Sequence, residues 1–472
     1  MRITRIDVKD WRILKEPKAE FRTQCAVIIG ENGSGKSSLI ELVLSIFELV
    51  LNRLKDAKAT AKLDGFYLEY ETTEGDKTAH QVVFESDYLE SGNSEGLKIF
   101  IDGNPYTIKE DGGERLKALL PANIIAYYAG DTERVMGICN YFIQENVDAV
   151  RKSGNQYTLV PLNLPADTPF IYSDIFHLPI ALASLLVSGV NSLTLEKLQL
   201  KVETVSVVVR LKKPHWATKG SEDFWGNTSQ LFNEFLSGLI EHGMVTKQDD
   251  DLIEIEVSAM NLRDYLEEIQ IGHKGVFLFQ IFDLLHNNGL LDWVDVVWHN
   301  VGAAPISISF FSEGEKQIIM TSALIEFWDK ENCLFLMDEP DTFLHPKWQS
   351  RFLPEVMAQL NNSQAIITTH SPLMLSTVGE GCELFVMKNG KLLFFDHPTY
   401  GMEASDIIVA AMETPARDNQ VAALIDDIEN DISAKRLGVA KNKLAELEKT
   451  GVDRFDINRL RSTIERFELL GR

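Results

Sequence analysis

The apolar positions of the chain follow two patterns, and each pattern predicts one type of element. Residues 2–8 alternate between polar and apolar side chains, as a half-buried strand does. Other runs are continuously apolar, which is typical of strands buried on both faces of a parallel sheet; they comprise residues 25–29, 333–337 and 365–368. Helical periodicity follows at residues 36–51 and near 347–360. This alternation of buried strands and helices predicts an α/β fold.

Two dipeptides predict β-hairpins. Asp102-Gly103 follows an apolar strand at residues 97–101, and Asn389-Gly390 lies within a pair of strands at residues 383–395. Asn-Gly and Asp-Gly adopt the left-handed conformation that a tight type I′ turn requires. We therefore expect a mixed sheet, in which antiparallel pairs accompany the parallel strands.

The order of the elements divides the chain into four predicted parts. Residues 1–130 and 301–398 are the two halves of one α/β domain. Residues 131–300 separate these halves and lack sustained heptads, so we expect a compact inserted arm instead of a long coiled coil. Residues 399–472 are predicted as a helical tail that docks a partner, because apolar residues recur there at helical spacing; they include Val421, Leu424, Ile425, Ile428, Leu444, Leu447, Leu460, Ile464 and Leu469.

The charge of the chain restricts its partners. The sequence of 472 residues holds 46 basic and 70 acidic residues, which gives a formal charge of −24. Residues 251–350 alone contain 5 basic and 17 acidic residues. A protein that coats duplex DNA on its own is normally basic. The acidity favours a nucleic-acid contact that is local or delivered by a partner, and solubility is the alternative explanation.

The remaining composition predicts a cytoplasmic protein. Four cysteines are far apart and form no C-x-x-C pair, which fits a reducing compartment; they are Cys25, Cys139, Cys333 and Cys382. The longest apolar stretch, residues 180–190, is shorter than the roughly 20 residues that a membrane span needs. The N-terminal residues are too charged for a signal peptide, and we expect no contact with a membrane.

A phosphate-binding loop is the most specific motif. Residues 30–37 fit the pattern G-x-x-x-x-G-K-[ST] between a predicted strand and a predicted helix. Glycines let backbone N–H groups point at phosphate oxygens, and the helix N-terminus adds partial positive charge. Lys36 is expected to reach the β- and γ-phosphates, and Ser37 is expected to bind Mg²⁺. The predicted nucleotide-binding residues are Gly30, Glu31, Asn32, Gly33, Ser34, Gly35, Lys36, Ser37 and Ser38.

Two carboxylates follow the second apolar strand. Asp338 and Glu339 stand at its C-terminal end, the edge where open α/β sheets bind ligands. Asp338 is the second predicted Mg²⁺ ligand, and Glu339 is the predicted general base that polarises the attacking water. An Asp-Glu pair after an apolar run is common by itself. The phosphate-binding loop gives this pair its significance.

Two further motifs complete the pattern. Ser312 and Glu315 form an S-x-x-E capping box at a helix start, 26 residues before Asp338. In addition to this structural role, Ser312 and the N–H group of Gly314 are predicted to face a γ-phosphate bound by another subunit. His370 ends the third apolar strand, from which its side chain could reach the γ-phosphate. A solitary histidine is otherwise more often structural.

These four motifs, in this order, resemble the ABC-type P-loop ATPases of the branch that contains SMC, RecF-like and OLD-family proteins. Lys36 and Asp338 are 302 residues apart, which leaves room for the arm that this branch inserts. The resemblance implies ATP and Mg²⁺ as cofactors, and a homodimer that sandwiches two ATP molecules. The pattern departs at residues 341–346, where His345 stands in a Leu-His-Pro variant. No glutamine stands at residues 128–131, where the pattern expects one.

A narrower resemblance is to PtuA, the ATPase of Septu and retron-associated antiphage systems. It is carried by residues 127–130, the Ser312 region, residues 338–349 and the helical tail. It implies a higher oligomer, a separate PtuB-like HNH nuclease as partner, and a retron reverse transcriptase with its RNA and DNA. About 100 residues follow His370, too few for a Toprim nuclease domain, and the chain has no His-Asn-His motif. We therefore expect an ATPase that is not itself a nuclease.

Two alternatives stay open from the sequence. One is a DNA-repair or chromosome-associated ATPase that loads directly on DNA. The other is an ATPase that restrains a Toprim nuclease in a related antiphage system.

Overall fold

The computed structural model forms two separate units, Met1–Tyr400 and Gly401–Arg472. It describes the whole chain except residues 57–62, 64, 74–77, 87–96, 129–132, 153, 161, 163–168, 189–193, 196–203, 218–222, 300–303, 330–331, 380, 398, 413–418, 450–453 and 471–472. Strands and helices are numbered below in chain order.

A seven-stranded sheet is the centre of the first unit. Its order is β11-β10-β17-β18-β5-β19-β20, and every neighbouring pair is parallel except the final hairpin. The inner strands are buried on both faces, and their central positions are apolar. The strands are β5 (Cys25–Ile29), β10 (Ile124–Tyr128), β11 (Phe170–Ser173), β17 (Leu334–Asp338), β18 (Gln364–Thr369), β19 (Cys382–Lys388) and β20 (Lys391–Phe394). The predicted α/β fold with a mixed sheet is confirmed.

A second, antiparallel sheet covers helix α1 (Lys36–Lys55). Phe47 of this helix contacts Tyr70 and Phe84 of the sheet with ring centroids 5.9 and 6.0 Å apart. The sheet has the order β4-β1-β6-β7-β8-β9, and a short β2–β3 pair accompanies it. The strands are β1 (Arg2–Val8), β2 (Asp10–Trp11), β3 (Leu14–Lys15), β4 (Lys18–Glu20), β6 (Phe66–Thr73), β7 (Ala79–Ser86), β8 (Lys98–Ile101) and β9 (Asn104–Tyr106).

The two predicted hairpins are present. Asp102 and Gly103 have φ angles of 53° and 75°, and Asn389 and Gly390 have φ angles of 51° and 78°. All four residues therefore occupy the left-handed region that a type I′ turn requires.

A third sheet, with the order β13-β14-β12-β15-β16, consists of four strands of the inserted arm and of β16, which follows residue 300. Its strands are β12 (Val205–Lys212), β13 (Met244–Gln248), β14 (Leu252–Ser258), β15 (Leu291–Trp298) and β16 (Ile306–Ser307). Alternate residues of the central strands are buried apolar side chains, among them Val207, Val257 and Val296. Helices of the arm pack nearby; they are α4 (Leu178–Ser188), α5 (Gln230–His242), α6 (Ala259–Glu268) and α7 (Lys274–Asn287).

The first part of the predicted arm belongs to the ATPase-like head. Strand β11 lies within residues 131–300, yet it extends the central sheet beside β10. Helix α3 (Glu133–Arg151) packs on α1, and the rings of Phe142 and Phe170 are 5.4 Å apart. A four-residue strand after a proline-rich stretch carries too little periodicity to be seen in the sequence.

The other helices of the first unit are α2 (Glu114–Leu119), α8 (Glu313–Trp328), α9 (Pro346–Gln359) and α10 (Pro372–Leu375). Short 3-10 helices span Ile175–His177, Asp223–Trp225 and Ile308–Phe310. None of the helices described is both long and apolar enough to span a membrane.

The second unit has a hydrophobic core of its own. It comprises α11 (Ala404–Met412), α12 (Asn419–Ser433), α13 (Leu437–Lys449) and α14 (Arg454–Leu470). The last three helices bury their apolar positions against one another; the core residues include Ile425, Ile428, Leu444, Leu447, Leu460 and Ile464. Leu469 is the exception among the predicted positions, because 75% of it is exposed. The apolar faces of this tail are therefore largely satisfied within the unit.

A buried charged group joins the arm to the edge of the central sheet. His177 lies 3.0 Å from Asp174, just after β11, and 3.1 Å from Asp283 in α7. Burial alone would lower the pKa of His177, but the two hydrogen-bonded carboxylates outweigh it and raise the pKa to about 9. The raised pKa favours the imidazolium form of His177, which binds two elements together.

We predict that His177 makes stability depend on pH. Its pKa in the folded protein lies above the ordinary value of 6.5, so its contribution is complete below pH 6.5 and is lost as pH rises through 9. The contribution is of the order of 3 kcal/mol, at 1.36 kcal/mol per pKa unit. Urea denaturation of wild type and His177→Gln between pH 6 and 10 should show curves that converge at high pH. Parallel curves would contradict this prediction, and Asp283→Asn should give an intermediate slope.

Candidate active site

The loop between β5 and α1 has the geometry of an anion cradle. Gly33 and Gly35 have φ angles of 76° and 115°, which other residues rarely adopt. A Cβ atom on Gly30 would lie 2.4 Å from the carbonyl oxygen of Met387, so the backbone there tolerates no side chain. Among the described residues, no side chain caps the start of α1, and the buried hydroxyl of Ser34 has no partner. These free donors fit the phosphate groups of a nucleotide.

Lys36 is held inside the loop. Only 4% of it is exposed, and its Nζ atom donates to the carbonyl oxygens of Gly30 at 3.1 Å and Glu31 at 3.3 Å. The same atom lies 2.5 Å from Nε2 of His370 and 3.9 Å from Oε1 of Glu339. Burial lowers the pKa of Lys36, and the nearby carboxylates oppose that shift. The structure thus brings together residues from three of the predicted motifs.

Asp338 is a buried carboxylate at the end of β17. Only 1% of it is exposed, and it accepts hydrogen bonds from the hydroxyl groups of Ser37 and Thr368. Burial raises the pKa of Asp338 in spite of these two bonds. A carboxylate and a hydroxyl that converge in this way are the oxygen ligands that Mg²⁺ prefers. Asp338 and Ser37 therefore fit the predicted metal role.

Glu339 follows Asp338 in a left-handed conformation, with φ of 51°. Its backbone N–H donates to Oγ1 of Thr368 at 3.0 Å, which holds the turn against β18. Its Oε1 atom lies 3.0 Å from Nε2 of His370, and the hydrogen bond with His370 lowers the pKa of Glu339. An ionised carboxylate in contact with a histidine is chemically suited to orient a water and accept its proton.

Two threonines of β18 organise the site, and the sequence analysis assigned no role to either. Thr368 bridges Asp338 and the backbone of Glu339. Thr369 donates to Asp341 at 2.7 Å and accepts the backbone N–H of Ser371 at 2.9 Å. Burial raises the pKa of Asp341 to about 6. Two consecutive polar residues after the apolar centre of a buried strand are the signal that could have found them.

A second layer of contacts connects β18 to α9. Ser371 donates its hydroxyl to Oε1 of Gln349 at 2.9 Å, and Gln349 donates to the carbonyl oxygen of Asp341 at 3.3 Å. His345 caps the start of α9 by accepting the N–H of Lys347 at 3.3 Å. The structure thus gives His345 a structural position. Of the residues predicted to follow β10, Tyr128 pairs with Asp338 in the sheet, and residues 129–131 lie outside the described chain.

The predicted capping box is present at the start of α8. The Ser312 hydroxyl accepts the N–H of Glu315, and the Glu315 carboxylate accepts the N–H of Ser312. Within the described chain, the hydrogen bonds of the Ser312 side chain are all with Glu315, and none reaches the loop at residues 30–37. Gly314 packs beside the residues that follow Glu339, because its Cβ position would be 3.4 Å from the Phe343 carbonyl oxygen.

The arm also contacts this region. Trp298, the last residue of β15, stacks on Phe311 with ring centroids 5.1 Å apart. Phe311 immediately precedes Ser312, so the arm sheet supports the start of α8 directly.

Two family models match the chain. "AAA domain" matches residues 5–165, and "AAA domain, putative AbiEii toxin, Type IV TA system" matches residues 263–376. The first match contains the loop at residues 30–38, and the second contains Ser312, Asp338, Glu339 and His370. The two matches thus include all four motifs of the predicted site, and each model covers less than half of the chain.

The names of two curated relatives both refer to retrons. The chain is 32% identical over 163 residues to "Retron Vc95 probable ATPase" of Vibrio cholerae serotype O1 biovar El Tor, which is 31% of each chain. It is 38% identical over 58 residues to "Retron Ec83 probable ATPase" of Escherichia coli, which is 12% of this chain and 10% of the relative. The matches thus cover less than a third of either relative. The narrower resemblance to PtuA stays a prediction.

Solved structures give more distant likenesses. The SMC head domain from Thermotoga maritima has a TM-score of 0.34 at 14% identity, covering 84% of this chain and 98% of that one. The recombination mediator protein RecF-ATPrS of the RecFOR pathway has a TM-score of 0.37 at 14% identity, covering 84% of this chain and 98% of that one.

We predict that Thr368 is required for hydrolysis without being required for folding. Thr368→Val keeps the shape of the side chain but removes its hydroxyl, which donates to Asp338 and accepts the backbone N–H of Glu339. Loss of such a supporting bond typically costs about 10- to 100-fold in activity. Phosphate release should fall by this factor, while Thr368→Ser, which keeps the hydroxyl, should remain close to wild type. A Thr368→Val protein with the wild-type rate would show that the bridge is dispensable.

Proposed function

We propose that this chain is an ATP-binding and ATP-hydrolysing regulatory subunit of an antiphage complex, in which it controls a separate nuclease of the HNH type. The observation that carries the ATPase part is the contact of Lys36, Glu339 and His370 beside the buried Asp338. These residues come from three distant segments and meet at the carboxyl edge of the parallel strands, where α/β folds bind ligands.

The proposed chemistry assigns one task to each group. Backbone N–H groups of residues 30–35 and the Lys36 amine bind the phosphates of ATP, the substrate. Ser37 and Asp338 would hold Mg²⁺, which would neutralise phosphate charge. Glu339 orients a water and accepts its proton. His370 Nε2, which lies between Lys36 and Glu339, contacts the terminal phosphate and fixes the Glu339 carboxylate.

The site is proposed to be completed by a second copy of the chain. Ser312 and Gly314 lie at the start of α8, and the Ser312 side chain bonds Glu315 instead of its own loop. In a head-to-tail pair, these donors would face the terminal phosphate held by the partner, as in the ATP-sandwich homodimers of this fold class. A larger assembly is compatible with this arrangement.

The antiphage part of the proposal is supported by the retron-linked names of the two curated relatives. The retron reverse transcriptase with its RNA and DNA is a proposed component of the same complex. The helical unit at residues 401–472 is the proposed docking module for the nuclease, because it has its own core and the catalytic contacts involve none of its residues.

We expect Glu339→Gln to bind ATP and to hydrolyse it about 10²- to 10⁴-fold more slowly, since the water loses its base. Lys36→Ala should instead weaken nucleotide binding. Binding of a fluorescent ATP analogue and steady-state phosphate release separate the two effects. A wild-type rate in Glu339→Gln would show that another residue is the base.

Mixed subunits test the composite site. In a homodimer of either variant, Lys36→Ala or Ser312→Arg, both ATP sites carry a substitution. Each variant should therefore be inactive alone. Mixing them should restore one intact site in each heterodimer, and thus up to about half the wild-type rate per heterodimer. If mixtures stay as inactive as the separate variants, the two-subunit site is wrong.

The tail provides a test of the partner assignment. A chain truncated after Tyr400 should keep its ATP binding and should no longer copurify with an HNH nuclease encoded beside it. Leu469→Asp, which changes an exposed residue, should weaken copurification, while Val409→Asp is a control on another exposed position of the unit. Full-stoichiometry capture by the truncated chain would place the docking site elsewhere, most plainly on the arm.

A further inference from the structure

A group of basic side chains lies where β4 meets the β19–β20 hairpin. It consists of the five exposed cations Lys15, Lys18, Arg22, Lys388 and Lys391, here called the hairpin basic surface. Residues 14–22 and 388–394 contain only two acidic side chains, Glu16 and Glu20. A local excess of positive charge in a chain of net charge −24 needs a physical reason.

Packing brings these cations onto one region of the molecule. The backbone N–H of Lys15 donates to the carbonyl oxygen of Gly390, at the tip of the hairpin, at 2.9 Å. Phe21 contacts Phe385 of β19 with centroids 5.1 Å apart, and Phe385 contacts Phe394 of β20 at 5.6 Å. Strands β3, β4 and β20 therefore present their exposed residues side by side.

Three cations of this surface form no ion pair within the described chain. Many lysine and arginine side chains elsewhere form ion pairs, as Lys117, Lys152 and Lys212 do. The described structure gives no ion pair to Lys15, Lys18 or Lys391. Lys388 and Lys391 are moreover directly opposite in the hairpin, an arrangement of like charges that destabilises a strand pair. An anion bound near Lys391 would relieve this repulsion.

An exposed aromatic ring accompanies the cations. Phe394 is 49% exposed, and the Arg22 guanidinium lies 5.9 Å from its ring centroid. Cations that follow a phosphate backbone, together with an aromatic ring on which a base can stack, are the chemistry of single-strand binding. Bases of a duplex are already stacked on one another and cannot use such a ring. An acidic protein partner would be recognised by the cations alone and would not require an exposed aromatic ring.

We propose that the hairpin basic surface binds single-stranded nucleic acid, with the cations on phosphates and Phe394 against a base. The surface adjoins the ATP site, since the N–H of Gly390 donates to the Ser34 carbonyl oxygen at 3.1 Å. The proposal goes beyond ATP hydrolysis and nuclease control, and it does not depend on either.

The test is fluorescence anisotropy of a labelled 30-nucleotide oligo-dT with the full-length protein between 50 and 300 mM salt. Each phosphate neutralised on a single strand adds about −0.7 to the slope of log K against log salt. Lys15→Glu, Lys18→Glu and Lys391→Glu together should weaken binding by at least about 30-fold and reduce the slope by about 2. The matched control is Lys117→Glu, Lys152→Glu and Lys212→Glu, which changes net charge equally and should bind as wild type.

Phe394→Leu tests the stacking contact separately. It should weaken binding about tenfold with an unchanged salt slope, since no phosphate contact is lost. Thermal melting of each variant checks that folding is intact. Millimolar ADP should not displace the oligonucleotide, which separates this surface from the ATP site.

Several outcomes would overturn the proposal. Equal weakening by the matched control would mean that net charge alone is responsible. Equal affinity for duplex DNA, or equal competition by polyglutamate, would mean a general anion or acidic-protein surface. Displacement by ADP would place the oligonucleotide in the ATP site. None of these results affects the predictions for Glu339 or Lys36, so the two proposals fail independently.

Discussion

The site depends on keeping one buried carboxylate, Asp338, satisfied at the end of a fully apolar strand. A buried charge without partners is costly, and burial raises the pKa of Asp338. Asp338 accepts hydrogen bonds from two neighbouring elements: from Ser37 at the start of α1, and from Thr368 in β18. Thr368 also fixes the backbone of Glu339. The placement of the Glu339 carboxylate therefore follows from the hydrogen bonds that stabilise the buried Asp338.

The sequence was informative wherever a local pattern determines structure. The strand, glycine loop and helix around residues 25–51, the two left-handed hairpin turns and the capping box at Ser312 each lie within a short window. Long-range relations were not accessible in the same way. Thr368 and Thr369 became meaningful only when β17 and β18 were paired, and β11 was too short to be distinguished from a proline-rich loop. His177 and Asp283 are 106 residues apart, and no periodicity connects them.

The tail shows how a correct pattern can support more than one conclusion. Its apolar spacing correctly indicates amphipathic helices, and such helices must bury their apolar faces. The sequence left open whether those faces meet a partner, a sister subunit or the core of the first unit. The structure shows a further solution, in which three helices bury one another. A partner that docks on this unit must therefore use its outer residues, such as Leu469.

Two of the contacts between the arm and the head have a consequence for how such proteins diversify. At one attachment, His177 joins the edge of the central sheet to Asp283; at the other, the indole of Trp298 packs on Phe311. An exchange of the arm with that of a relative would have to carry both matching surfaces with it. Transplantation at the linear boundaries of the insertion, residues 131–300, would keep His177 and Asp283 together but would separate Trp298 from Phe311. Modularity in this architecture therefore follows the packing and not the linear boundaries of the insertion.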